Sequence, residues 1–282
     1  MFATLLGPLP RPPLPTDATP AELLEAVVRA QEAAGLEPIT DAGFGVGDSA
    51  VERWRATAAL TDRPVKAALE GPYSSVRAAG ADPRSQLVEL VAAGCPYIEI
   101  HEPAATRIGT DAAERSRFRD KHARLLDGLT GAHLSLAITG GDADAAGVET
   151  LLAAPYASLA VDLIAGPDNW RLVAAVPGDR GVVCGALSSA PGSDDRVEVL
   201  LWAAGYAAST GGRGSIRVGL ATASSLAALP WELAVRKMTL LGEAARLADL
   251  PPDERARAVD PRSLDIRSAA LGRYVPRRPR RG

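Results

Sequence analysis

The residues best placed to do chemistry in this chain lie in one run, Tyr97-Ile98-Glu99-Ile100-His101-Glu102-Pro103. Ile98 and Ile100 alternate with Glu99 and His101, the period of an extended strand with one apolar and one ionisable face. A carboxylate and an imidazole turned into a protein interior are costly unless they are paired or used. His101, next to Glu102, is of the right type for acid–base work near neutral pH, where an imidazole titrates. The competing reading is a polar plug, hydrogen-bonded and inert.

Such groups act only if something gathers them, and the rest of the sequence indicates what. Short runs rich in Val, Ile and Leu fall near 2–9, 37–44, 65–71, 97–102, 132–139, 158–164, 181–187 and 214–220. After each comes a stretch of helical spacing, near 20–34, 48–60, 83–93, 111–129, 143–153, 168–175, 193–209 and 231–248. Thr19-Pro20 with Glu22 marks one helix start and Gly35 its stop; Asp82-Pro83 and Gly94 repeat the pair. Strand and helix alternating in this order predict an α/β chain closing as a single-domain (β/α)₈ (TIM) barrel over residues 1–250. An open doubly wound sheet would alternate similarly, but its GxGxxG turn after the first strand is absent.

In a barrel the active site lies at the carboxyl ends of the strands. That rule adds further candidates to His101, Glu102 and Glu99. Asp41 lies in the closing segment of the run at 37–44, Glu70 near the end of the one at 65–71, and Tyr73 just after it. His133 and Ser135 belong to the fifth run, Asp162 to the sixth and Ser188 to the end of the seventh. Trp170, after Pro167-Asp168-Asn169, could stack on a flat heterocycle at the mouth or pack against a neighbouring helix.

Composition narrows the partners. The 282 residues are 47% hydrophobic and 23% charged, with a formal net charge of −3. That balance gives no electrostatic reason to expect nucleic acid or an anionic membrane. The two cysteines, Cys95 and Cys184, make no disulfide scaffold. The first residues have no basic segment typical of a signal peptide, and no apolar stretch approaches the roughly 20 residues that cross a bilayer. A soluble, cytoplasmic protein acting on a small molecule is expected, with self-association left open. Residues 251–282 form an extension after Pro251-Pro252, ending in the basic Arg277-Arg278-Pro279-Arg280-Arg281. Such a tail reads as a frayed terminus or as a binder of phosphate or RNA.

Three segments carry a family resemblance. Gly7-Pro8-Leu9-Pro10 resembles the Gly-Ser-Phe-Pro turn of the cobalamin-independent methionine synthase family, in its catalytic domain. Leu69-Glu70-Gly71-Pro72-Tyr73-Ser74 resembles its Gly-Pro segment after the third strand, and the run at 97–103 its Ile-Gln-Ile-Asp-Glu-Pro signature. The order of these pieces is kept across residues 2–248.

The resemblance implies a zinc-activated thiol and a folate methyl donor. Here the family's His-x-Cys reads His133-Leu134-Ser135, its carboxylate Asp162, and its second cysteine falls on Val218. Its substrate-holding Glu falls on Gly43, its signature Asp on His101, and a further His on Ser188. His133 and Asp162 are the residual ligand positions, and with two of them a tight zinc site is not expected. Folate binding is allowed by the resemblance; the residues themselves identify no cofactor. The expectation is a divergent methyl- or alkyl-transferase or lyase acting on a thiol- or one-carbon-related substrate. His101, Glu102, His133 and Asp162 would be catalytic; Asp41, Glu70, Tyr73, Glu99, Ser135, Trp170 and Ser188 would bind substrate. A zinc- and folate-dependent homocysteine methyltransferase and a non-catalytic scaffold are the alternatives.

Overall fold

Hydrophobic alternation is what places the strands in this chain. The structure, a computed structural model, describes residues 1–75, 82–251 and 253–255. In chain order the elements begin β1 (Phe2–Thr4), α1 (Pro20–Ala33), α2 (Ala50–Ala58), β2 (Lys66–Glu70), α3 (Pro83–Ala92) and β3 (Tyr97–His101). They continue with α4 (Ala112–Leu126), β4 (His133–Ile138), α5 (Val148–Leu151), β5 (Ser158–Asp162) and α6 (Trp170–Ala175). The last are β6 (Gly181–Leu187), α7 (Val197–Ser209), β7 (Val218–Thr222) and α8 (Trp231–Ala248).

The strands form one seven-stranded parallel sheet, ordered β1-β7-β6-β5-β4-β3-β2. Parallel neighbours need crossovers, which the intervening helices supply. One face of the sheet buries Ile98, Ile100, Leu134, Leu136, Leu159, Val161, Val182 and Leu220 in the main core with the helices. The other, inner face carries a small separate cluster of Leu6, Ala137, Ala160, Val183 and Ala221. Beside it stand Lys66, Glu99 and His101, so the inner face is apolar on one side and ionisable on the other.

A regular strand over 37–44 is expected from the sequence and does not form. Segment 37–39 makes only two isolated bridges, Ala3 to Glu37 and Ile39 to Val65. Pro38 has no N–H to give a ladder. Beyond it, Thr40 Oγ1 accepts from Ala42 N and Asp41 Oδ1 from Gly43 N, and these bonds turn the chain. The segment still touches both sheet edges, since Glu37 N donates to Ala3 O at 2.7 Å and Ile39 N to Pro64 O at 2.9 Å. Lys66, on the edge strand β2, also reaches across to Leu5 O, just beyond the opposite edge strand, at 2.7 Å. The sheet is therefore strongly curled, in keeping with a TIM-like fold.

Helix ends largely follow the local chemistry. Thr19 and Glu22 form a reciprocal capping box at α1, and Ser49 and Glu52 another at α2. Asp82 precedes α3 without a side-chain cap bond, leaving Pro83 as the start signal. Gly35 and Gly94 stop their helices at φ of +78° and +85°. The basic C-terminal run at 277–281 lies outside the described residues. No helix among the described residues is long and apolar enough to cross a membrane.

Candidate active site

The ionisable inner face is a continuous hydrogen-bonded line. Lys66 Nζ donates to both Glu99 oxygens, at 3.0 and 2.9 Å, and His101 Nε2 lies 2.7 Å from Glu99 Oε1. The register of β2 against β3 and the period-two alternation bring these three side chains to one face. Glu99 is fully buried and Lys66 nearly so, while 22% of the His101 side chain remains exposed.

Burial alone would raise the Glu99 pKa; the Lys66 charge and the His101 bond outweigh it and hold the carboxyl at about 2. Burial pushes Lys66 below the usual lysine range, with Glu99 opposing it. Glu99 is thus an ionised acceptor, so whenever the His101 imidazole carries a single proton that proton faces Glu99 from Nε2. Nδ1 has no partner among the described residues and keeps its lone pair. Glu70 stands beside His101 in register at the carboxyl end of β2, exposed to solvent. An imidazole held by an anion at one nitrogen and open at the other is a general base, and its protonated form a general acid.

The remaining expected residues divide sharply. Glu102 is fully buried and faces α4: Oε1 accepts from Tyr73 N at 2.7 Å, Oε2 from Ser74 N at 2.6 Å, and His122 Nε2 lies 3.0 Å from Oε1. Its carboxylate fits against Gly71, where an added Cβ would sit 2.1 Å from Oε1. Glu102 therefore holds the loop after β2 in place. The Tyr73 hydroxyl donates to Glu114 and its ring packs on Phe118, away from the mouth. Asp162 accepts from the amides of Gly140, Ile164 and Ala165, which ties two loops together at the carboxyl end of β5. Asp41 holds its own turn.

Ser188 accepts from Ala190 N, and its carbonyl accepts from the buried Lys237 at 2.9 Å. Trp170 packs edge-on against Trp202 and Tyr206 on α7, at centroid distances of 4.9 and 5.4 Å, a contact with a neighbouring helix.

His133 is displaced furthest from expectation. It begins β4 and pairs with Tyr97, whereas His101 pairs with Ala137. Four residues of strand, on the order of 13 Å at about 3.3 Å each, separate the two imidazoles along the sheet. His133 and Ser135 belong to the amino-terminal half of the inner face, where His133 bonds Ser158 Oγ at 2.8 Å. The strand does begin with a histidine, but a site at the carboxyl ends cannot use it.

Zinc does not fit this donor set. His133 is at the wrong end, Asp162 is committed to three amides, and Cys95 and Cys184 are buried. Burial pushes these thiols up to about 11 and 12, against the thiolate a metal needs. Among the described residues, Asp142, Asp144 and Asp168 are the only acid cluster close enough to share an ion. Arg171 already pairs with Asp144 and Asp168.

Sequence reasoning missed Lys66, His122 and Tyr156. Lys66 opens the apolar run of the edge strand β2, at even spacing from Glu70, and that was the available signal. His122 repeats Phe118 at helical spacing on the buried side of α4, and its Nδ1 lies 2.6 Å from the Tyr156 hydroxyl.

Together these features define a class: a curled parallel α/β sheet of TIM type whose inner face carries an ionisable line ending in His101, at the carboxyl end of β3. No family model and no curated protein matches the chain. Its structural neighbours are cobalamin-independent methionine synthase-like proteins. One is a B12-independent methionine synthase from Shewanella sp. W3-18-1, in complex with selenomethionine, with a TM-score of 0.73 and 15% identity over 91% of this chain and 99% of that one. Another is a candidate vitamin-B12-independent methionine synthase from Listeria monocytogenes, with a TM-score of 0.66 and 11% identity over 87% of this chain and 97% of that one. At such identities the likeness is one of fold.

Proposed function

We propose that the chain is a divergent methionine-synthase-like enzyme, a methyl- or alkyl-transferase or lyase whose proton transfers run through His101. The observation that carries this reading is the line Lys66–Glu99–His101, which leaves one imidazole nitrogen open beside Glu70. Glu99 fixes the imidazole and stabilises the imidazolium formed when Nδ1 takes a proton; Lys66 keeps Glu99 ionised. A thiol or an acidic C–H of a one-carbon-linked substrate is the natural proton donor to such a base. Folate as the donor follows from the sequence resemblance alone.

The same reading takes residues 1–250 as one cytoplasmic barrel domain, closed by segment 37–39 in the place of an eighth strand. The loop fixed by Glu102 and the loops tied by Asp162 form the walls of the mouth and position substrate indirectly.

The test is a turnover screen of small thiols and one-carbon compounds with the wild type and two variants. His101→Gln should lower turnover on the order of 10²–10⁴-fold, while His133→Gln leaves it unchanged. Equal loss in both variants, or stoichiometric zinc removed by His133→Ala, would overturn the reading in favour of a zinc-dependent methyltransferase. Biological activity that survives His101→Gln would favour the scaffold.

A further inference from the structure

The amino-terminal ends of the strands border a half-open cavity of about 330 Å³, at the far end of the sheet from His101. In this fold that end is ordinarily filled and serves stability. Here β6 begins with Gly181, which puts no side chain on the inner face, and the Phe2 ring lies over Gly219, where a Cβ would come within 2.4 Å of it. The space that remains is lined by His133, Ser158, Asp179, Arg217 and the Phe2 ring. Its size falls at the lower end of the roughly 300–1,000 Å³ of small-molecule pockets.

Two features of the cavity bear on what it could take. The first is polar lining: His133 Nε2 and Ser158 Oγ, 2.8 Å apart, face the cavity, and the buried hydroxyls of Tyr97 and Ser135 lie behind them, within reach of one another. Both stand directly behind the cavity wall: the Tyr97 ring meets the His133 ring edge-on at 4.8 Å, and Ser135 is the register partner of Ser158.

The second observation is charge. Asp179 and Arg217 are exposed on the same rim and neither has an ion-pair partner among the described residues; Arg217 reaches only Gly178 O, at 3.4 Å. The wall between them is neutral, since burial lowers the His133 pKa from its ordinary 6.5.

We propose that this cavity is a second ligand site, taking a small zwitterion of the amino-acid type. Arg217 receives the carboxylate, Asp179 the ammonium, and the Phe2 ring a short apolar side chain. Ser158 and His133 bond the polar backbone of the ligand. The site is independent of the chemistry at His101.

Calorimetric titration of the full chain with the standard L-amino acids at millimolar concentration tests this. L-leucine comes first, beside 4-methylpentanoate and 3-methylbutylamine, which each lack one of its charges; the best binder is then compared with its own two analogues. The expected result is saturable binding of at least one amino acid, weakened on the order of tenfold or more by loss of either charge. Arg217→Gln and Asp179→Asn should weaken it alike, while His101→Gln binds as the wild type does. Amide shifts at Ser158 and Gly181 on titrating the unaltered chain locate the ligand without any substitution. The proposal is overturned if no amino acid saturates, if binding survives both rim substitutions, or if the shifts and the loss on His101→Gln place the ligand at the carboxyl ends.

Discussion

His101 Nε2 lies 2.7 Å from Glu99 Oε1, inside a carboxylate that also takes two contacts from Lys66. One relationship thus ties the stability of the inner face to the orientation of its partly buried imidazole.

Glu99→Gln leaves the buried Lys66 charge unpaired. The expected loss is about 3–5 kcal/mol of unfolding free energy, read by urea denaturation. Lys66→Met combined with Glu99→Gln should lose less than Glu99→Gln alone, because no buried charge is then left without a partner.

The same carboxyl gives a pH signature. Its folded-state pKa of about 2 lies below the ordinary 4.5. The stability it contributes is therefore fully present above pH 4.5 and lost as pH falls from there through about 2. Acid denaturation of the wild type should be steep over that window and that of the Lys66→Met, Glu99→Gln double variant shallower.

Glu102→Ala removes the acceptor for Tyr73 N and Ser74 N and strands His122. Unsatisfied buried donors cost about 1–3 kcal/mol each. Hydrogen exchange should quicken at the Tyr73 and Ser74 amides first, with turnover falling because the loop moves. Unchanged exchange there would contradict the anchoring role.

Cys95 and Cys184 should resist a thiol reagent at pH 8 in the native protein and both react after denaturation. Their buried thiols sit at about 11 and 12. Rapid native labelling of either would reopen the metal question.

His133 should titrate below 6.5 in the folded chain, since burial disfavours its cation. Its contribution is present above that value and declines as pH drops below it. A proton NMR titration with His133→Gln as the assignment control checks this.

The fold was largely legible in the sequence because parallel strands and their helices advertise themselves through two different periods. Segment 37–44 was the exception: its apolar residues suit a strand, but Pro38 and the side-chain bonds of Thr40 and Asp41 win locally. The alternation at 97–101 correctly put Glu99 and His101 on one face. It could not tell that Lys66, from the neighbouring strand, completes the pair, because partners across a sheet are set by register. His133 was misplaced for a related reason: a histidine in a strand of unknown bounds can belong to either end, and here it opens the strand.

The most direct measurement is the tautomer of His101, read from long-range ¹H–¹⁵N correlations of its ring in the neutral form. The expected spectrum has Nε2 protonated and Nδ1 bare, collapsing to an average of tautomers in Glu99→Gln. A proton fixed on Nδ1, or a wild-type ring already averaging, would contradict the placement of a general base at the carboxyl ends of the strands.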